Sequence, residues 1–184
     1  MINKDSYHSD ETGTLVTKCL NGDRSSQYAL YKKYSRAMYN ICYRIVNDED
    51  EAKDVLQEAF ISAFQKLKSF RGESSFGAWL KKIVINQAIN HQRKQRLMVE
   101  PIGMNEVIDE DNKVDEDHLS VNIERVREAI QKLPDGYRTV FSLYLLEGYD
   151  HTEIAQIMGI SESTSKTQYI RAKQKLRELL KERI

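Results

Sequence analysis

The chain has 184 residues, of which 40% are hydrophobic and 30% charged. That balance excludes a disordered protein and suits one or two small domains with cores of their own. Lysine and arginine number 28, as do aspartate and glutamate, so the net charge is zero and no overall excess points to a polyanionic partner.

The N-terminus, MINKDSYHSDETG, is polar and lacks the apolar segment of a signal peptide. No stretch approaches the length of a membrane span, so the chain is expected to be cytoplasmic, without membrane insertion. Residues 1–13 are read as a polar tail and Thr14 to Leu20 as a short helix. Asn21-Gly22-Asp23 breaks that helix and offers Asp23 as the next N-cap. Leu30, Tyr31, Tyr34, Met38, Ile41, Cys42 and Ile45 then recur at spacings of three and four, one core face of a long helix. Cys19 and Cys42 lack any Cys-x-x-Cys spacing and sit among apolar neighbours, which favours buried thiols in a reducing compartment.

After Asn47-Asp48-Glu49-Asp50, the series Ala52, Val55, Leu56, Ala59, Phe60, Ala63, Phe64 and Leu67 predicts another amphipathic helix. Ser69 to Ser75 reads as a loop. Phe76, Trp79, Leu80, Ile83, Val84 and Ala88 then open a helix running into the basic HQRKQR at 91–96. Trp79 lies on the apolar stripe and is expected in the core. From 98 to 119 the periodicity vanishes under acid, Pro101 and Gly103, the composition of a flexible linker. Ser120 begins a second helical unit with Ile123, Val126, Ile130 and Leu133 on one face. Pro134-Asp135-Gly136 is expected to turn it, and Tyr137, Val140, Phe141, Tyr144 and Leu145 to line the next helix.

Residues 150–177 read as two short helices pinned by a turn. Asp150 and Glu153 form an Asp-x-x-Glu capping box, Ile154, Ala155 and Met158 supply an apolar stripe, and Gly159 ends the first helix. Ser161 caps the second, whose inward positions are Tyr169, Ala172, Leu176 and Leu179. That leaves Ser163, Thr164, Lys166, Thr167, Gln168 and Arg171 on or beside the outer face, side chains able to pair with base edges and phosphates.

The signs of charge are segregated. Between Lys66 and Arg96 eight cations face Glu73 alone, and residues 161–184 carry seven cations against three acids. Between these basic zones, residues 100–117 hold eight acids against Lys113. An all-α protein is expected, with a tail at 1–13, a helical domain at 14–97, an acidic linker at 98–119 and a helix-turn-helix domain at 120–184. The four histidines are scattered and no phosphate-cradling glycine loop occurs, so no catalytic residue, metal site or cofactor is expected.

Three stretches resemble signatures of bacterial RNA polymerase sigma factors of the extracytoplasmic-function group of the sigma-70 family. They are Asp50-Glu51-Ala52-Lys53-Asp54-Val55-Leu56-Gln57-Glu58-Ala59-Phe60, Phe70-Arg71-Gly72-Glu73-Ser74-Ser75-Phe76-Gly77-Ala78-Trp79-Leu80 and Leu133-Pro134-Asp135-Gly136-Tyr137-Arg138. Their order and spacing span nearly the whole chain. The resemblance implies that the first domain docks on the clamp of core RNA polymerase, with Asp54, Gln57 and Glu58 as the contacting polar residues. It implies that the loop after Phe70 traps a base flipped from the minus-ten element of promoter DNA, with Phe70, Arg71, Ser74, Ser75 and Asn86 forming the pocket. Lys81, Lys82, Arg93, Lys94 and Arg96 would hold backbone phosphates.

The second helix of the helix-turn-helix resembles the reader of the minus-thirty-five element. Lys166, Thr167, Ile170 and Arg171 match contact positions, and Ser163 and Thr164 lie nearby. Ser165 stands where the family usually has a branched apolar residue, and Gln168 where it has a cation. A buried Ser165 hydroxyl is expected to bond a preceding backbone carbonyl. The acidic linker resembles the segment that threads the polymerase's RNA exit path, and an anti-sigma factor is an implied partner. The competing reading is a free-standing helix-turn-helix regulator. A nucleic-acid-processing enzyme would need a carboxylate-metal or nucleophilic centre, which the sequence does not offer.

Overall fold

A computed structural model of the chain describes residues 11–99 and 123–181, with side chains at 11–95 and 123–181. Every regular element among them is helical. The chain divides into two compact units between Gln92 and Arg93. The expected acidic linker and the expected start at Ser120 lie outside the described residues, apart from the linker's first two positions, Met98 and Val99, which are helical.

The first unit is built from α1 (Glu11–Leu20), α2 (Arg24–Val46), α3 (Glu49–Gln65) and most of α4 (Phe76–Val99), whose residues from Arg93 on lie past the division. The structure moves the start of α1 back into the expected tail. Thr12 is buried and its hydroxyl accepts from Lys33 Nζ at 2.9 Å, which anchors that first turn. Asp23 caps α2 as its position predicts, accepting from the Ser25 and Ser26 amides. Hydrogen bonds from the Ser26 and Ser25 side chains hold its carboxyl below the usual carboxylate range. Asp48 does the same for α3, accepting from the Asp50 and Glu51 amides, so the acidic interruption is the cap itself.

Leu30, Met38, Ile41, Cys42 and Ile45 of α2 pack with Ala52, Val55, Leu56, Ala59, Phe60 and Ala63 of α3 in the core, joined by Leu80, Val84 and Ala88 of α4. Tyr31 departs from its expected core position. It is 40% exposed at the margin, its ring edge-on to Phe60 at 4.8 Å.

The second unit comprises α5 (Ile123–Gln131), α6 (Asp135–Phe141), a wide turn of π-helix (Ser142–Leu146), α7 (His151–Met158) and α8 (Glu162–Lys181). Its core gathers Ala129, Ile130, Leu133, Phe141, Ala172 and Leu176, flanked by Val126, Tyr137, Tyr169 and Leu179. The Pro134-Asp135-Gly136 turn is shorter than expected, because Asp135 and Gly136 already belong to α6. Arg138 holds this corner. The residue is 1% exposed, and its guanidinium donates to the Leu133 carbonyl at 2.8 Å and to Asp135 Oδ1 at 2.6 Å.

The π turn corrects a second expectation. Its i to i+5 bonding, seen in the Glu147 amide donating to the Ser142 carbonyl at 3.1 Å, delays the helical register. Leu143 is buried, whereas Tyr144, Leu145 and Leu146 are exposed rather than lining the core.

Candidate nucleic-acid interface

α7 and α8 carry the first candidate surface. The capping box on α7 is complete: the Glu153 amide donates to Asp150 Oδ1 at 2.8 Å, and the Asp150 amide donates to Glu153 Oε2 at 3.0 Å. Gly159 ends the helix at φ +65°, a left-handed conformation that side-chain-bearing residues rarely adopt. Ser161 then caps α8, its Oγ accepting from the Thr164 amide at 3.0 Å and hydrogen-bonded to the Ser163 and Thr164 hydroxyls at 2.8 and 2.7 Å. Both of those side chains are exposed at the start of α8.

Lys166 is exposed and ion-paired to Glu162 at 2.6 Å, and Glu162 also accepts from the Thr152 hydroxyl. Those two partners, Lys166 first, hold the Glu162 carboxyl below its usual range. Thr167 and Arg171 are half-buried, and Arg171 Nη1 reaches the Tyr137 hydroxyl at 3.4 Å. Ile170 is 51% exposed, an apolar contact available beside them. Gln168 differs from expectation: its amide turns back over α6, where a Cβ at Gly136 would stand 3.2 Å from Oε1. Its Oε1 is buried there.

Behind α8 the structure corrects the partner of Ser165. The residue is fully buried, but its hydroxyl hydrogen-bonds His151 Nδ1 at 2.9 Å instead of a backbone carbonyl. The His151 ring stacks on Tyr144 at 4.5 Å and meets Tyr169 at 5.7 Å, with Tyr144 and Tyr169 themselves at 4.5 Å. A polar bond within a three-ring cluster thus occupies the place of an apolar contact.

In the first unit the second surface surrounds the Phe70–Ser75 loop. Phe70 is buried, its ring 5.8 Å from Phe76 and 5.3 Å from Trp79, so these aromatics form a floor beneath the loop. Trp79 takes part in that packing but is half-buried at its edge rather than in the core where its place on the stripe puts it. Arg71 and Ser74 are exposed on the loop. Ser75 caps α4, its hydroxyl accepting from the Ala78 amide at 3.2 Å. A Cβ at Gly77 would lie 2.9 Å from Tyr34 Cε1, so glycine lets α4 start hard against α2. Lys82, Asn86, Asn90 and Lys94 are all exposed and recur every four residues, one polar and basic stripe along α4. Arg93 is exposed, Lys81 is half-buried, and the side chain of Arg96 lies outside those described.

A third surface faces outward from α3, where Asp54, Gln57 and Glu58 are exposed together. Glu58 Oε2 accepts from Gln87 Nε2 of α4 at 2.6 Å. One turn further, Ile61 is 51% exposed, beside Phe60 and the Tyr31 ring that covers it.

Two unlike polar and basic surfaces, preceded in sequence by the mixed polar and apolar face of α3, lie within stretches that known families match. Sigma-70 region 2 matches residues 30–97, and Sigma-70, region 4, matches residues 123–176. The chain belongs to the sigma-70 family. It is 33% identical over 175 residues to the RNA polymerase sigma-H factor of Pseudomonas aeruginosa, covering 87% of this chain and 89% of that one. With the ECF RNA polymerase sigma factor SigW of Bacillus subtilis it shares 32% over 179 residues, covering 91% and 95%. The fold is also that of the sigma factor RpoE of Bartonella quintana, solved in complex with the anti-sigma factor NepR. That likeness has a TM-score of 0.56 at 23% identity, over 84% of this chain and 96% of that one.

As an extracytoplasmic-function sigma factor, the protein binds core RNA polymerase and directs promoter-specific transcription initiation. The free-standing regulator reading gives no reason for a region 2 match over residues 30–97. Sequence reasoning missed Ile61 and the exposed Tyr31 as parts of the sigma factor's outward face. Nothing in the α3 periodicity marks Ile61; its signal is an apolar residue standing off the buried stripe. No described helix is long and apolar enough to cross a membrane.

Proposed function

We propose that this sigma factor divides its work by residue. Asp54, Gln57 and Glu58, together with Ile61, dock α3 on the clamp of core RNA polymerase. Arg71, Ser74 and Asn86 read a base extruded from the minus-ten element, over a floor built by Phe70, Phe76 and Trp79. Ser75 serves that site by fixing the start of α4. An unstacked base needs such an aromatic support and polar edge-readers, because leaving the stack costs roughly a few kcal/mol. Lys81, Lys82, Arg93, Lys94 and Arg96 neutralise phosphates, a contribution that weakens with salt.

In the second unit Ser163, Thr164, Lys166, Thr167, Ile170 and Arg171 contact the minus-thirty-five element in the major groove, and Gln168 acts from behind α8. The observation that carries the reading is the outward clustering of Ser163, Thr164, Lys166 and Ile170 at the capped start of α8. The acidic segment at 98–119 links the two domains and occupies a basic channel of the polymerase. The protein acts in the cytoplasm, performs no covalent chemistry of its own, and is held by an anti-sigma factor. Support for that partner is the fold shared with a sigma factor solved in complex with an anti-sigma factor.

Promoter-dependent transcription by purified core polymerase with this chain tests the whole. Initiation at a promoter carrying both elements, lost when either element is scrambled, is expected. Core polymerase that still fails to initiate would overturn the reading.

A further inference from the structure

α8 presents a line of side chains at four-residue spacing, Glu162, Lys166 and Ile170, all three exposed. Glu162 is the one acid in residues 161–177. A carboxylate on a face that meets phosphates is repelled unless something neutralises it. Lys166 does so. Its Nζ lies 2.6 Å from Glu162 Oε1, and the two side chains are 57% and 47% exposed, so the pair faces outward.

An exposed ion pair adds little to stability, and a glutamate followed four residues on by lysine is an ordinary helix-stabilising arrangement. That arrangement does not account for a second anchor. The Thr152 hydroxyl of α7 donates to Glu162 Oε2 at 3.1 Å, so the carboxylate is held by both helices of the motif. Its orientation is therefore set before any ligand arrives, which lowers the entropy lost on binding. Lys166 and then Thr152 hold the carboxyl below its usual range, so it carries its charge at neutral pH.

In the major groove a carboxylate pairs with an amino group, cytosine N4 or adenine N6, and an ammonium with the acceptors O6 and N7 of guanine or O4 of thymine. Within one C·G pair the N4 amino group and O6 are hydrogen-bonded to each other, roughly 2.9 Å apart. That spacing is close to the 2.6 Å between Glu162 and Lys166. The two couples are complementary, acceptor to donor and donor to acceptor. A T·A pair offers a similar couple with a poorer fit. The carboxylate would lie beside adenine N7, another acceptor, and the ammonium would meet the thymine methyl in place of a second acceptor.

We propose, on the reading of α8 as the helix that enters the major groove of the minus-thirty-five element, that Glu162 and Lys166 act as one unit on a single C·G pair. Glu162 accepts from cytosine N4, and Lys166 donates to guanine O6 and N7. Glu162 is thereby a specificity-determining residue, placed near the end of the helix that meets base edges.

The test uses holoenzyme assembled from core RNA polymerase and the full chain, with duplex fragments randomised across both promoter elements. Bound and free pools are sequenced. The natural chain should prefer C·G at one position of the minus-thirty-five element by roughly tenfold or more. Glu162→Ala and Lys166→Ala should each lose that preference at the same position and keep the others. Glu162→Gln should shift it from C·G toward A·T, because a side-chain amide pairs with adenine N6 and N7 together. A helix-stabilising acid has no such effect on the preferred base. With 7-deazaguanine at that position, binding by the natural chain should fall and binding by Lys166→Ala should fall no further, because the lost N7 is the acceptor for Lys166.

Preferences unaltered in Glu162→Ala overturn the proposal, as does a uniform loss over all sequences, which would make Glu162 structural. A uniform gain would mean that Glu162 only masks Lys166, and overturns it too. Thr164→Ala and Arg171→Ala are measured alongside. If they alter other positions while Glu162→Ala alters none, α8 still reads the element and only the Glu162 assignment falls. If no variant of α8 changes the preference at any position, both fall.

Discussion

The hydroxyl of Ser165 and Nδ1 of His151 lie 2.9 Å apart and tie α8 to α7 through a bond that no solvent reaches on the serine side. Neither group is replaceable alone. Ser165→Ala leaves the imidazole nitrogen without this partner in a partly buried site, which costs about 1–3 kcal/mol. Ser165→Val adds a methyl group against the same ring and should cost a similar amount by overpacking. Combining Ser165→Val with His151→Leu makes both positions apolar and should recover much of the loss. Urea unfolding of the natural chain, Ser165→Val, His151→Leu and the double variant checks this, and additive costs in the double variant would show that the two residues do not interact.

Arg171 sits beside α8's outward face with Nη1 3.4 Å from the Tyr137 hydroxyl. A guanidinium that reads a base gains from being held in advance, because less side-chain entropy is lost on binding. Arg171→Ala should therefore lose about 1–3 kcal/mol of promoter affinity, concentrated at one base pair of the minus-thirty-five element. Tyr137→Phe should lose less and keep the same preferred sequence. Affinities for a set of singly substituted promoter fragments decide the matter: a uniform loss across them would reassign Arg171 to a phosphate.

Cys42 is fully buried, and burial pushes its thiol up to about 12. Cys19 is pushed up to about 11, by burial first and by the charge of Asp23 second. An unfolded thiol titrates near about 8.5. Folding therefore favours the neutral form. Its stabilising contribution is complete below about pH 8.5 and is lost as pH rises toward the folded values. For Cys42 the loss approaches about 1.4 kcal/mol per pH unit across that window. Melting temperatures should fall between about pH 9 and pH 11 more steeply for the natural chain than for Cys42→Ala. Parallel curves would show that the thiol does not drive the alkaline loss.

The parts of this fold legible in the sequence are those decided locally. Asp23, the Asp150 and Glu153 box and Gly159 act within four residues of the helix ends they define, so their spacing announces them. The inward row Tyr169, Ala172, Leu176 and Leu179 follows from helical periodicity alone. What escaped depends on partners distant in sequence or on small changes of register. Ser165 meets a ring 14 residues away. Gln168 turns in because Gly136 leaves room for its amide, and the π turn after Phe141 rotates Tyr144 and Leu145 outward.

The outward face of α3 gives the most direct test of how the first unit meets the polymerase. Asp54, Gln57 and Glu58 are exposed and leave the core intact when changed, so replacing all three with alanine should abolish holoenzyme assembly while the helical content is retained. Ile61 is expected to act with them. An apolar side chain 51% exposed next to a polar row is the composition of an interface centre rimmed by polar contacts. Ile61→Glu should weaken core binding at least about tenfold, since it places an unpaired charge where water is excluded. Glu58→Gln separates two roles of that carboxylate. If Glu58 serves chiefly to receive the Gln87 amide, the variant keeps a carbonyl acceptor for it and core binding is unchanged; if its charge meets the polymerase, affinity falls with the fold intact. Titration of labelled sigma factor with core polymerase measures all three, and full affinity in the triple variant would remove α3 as the docking helix.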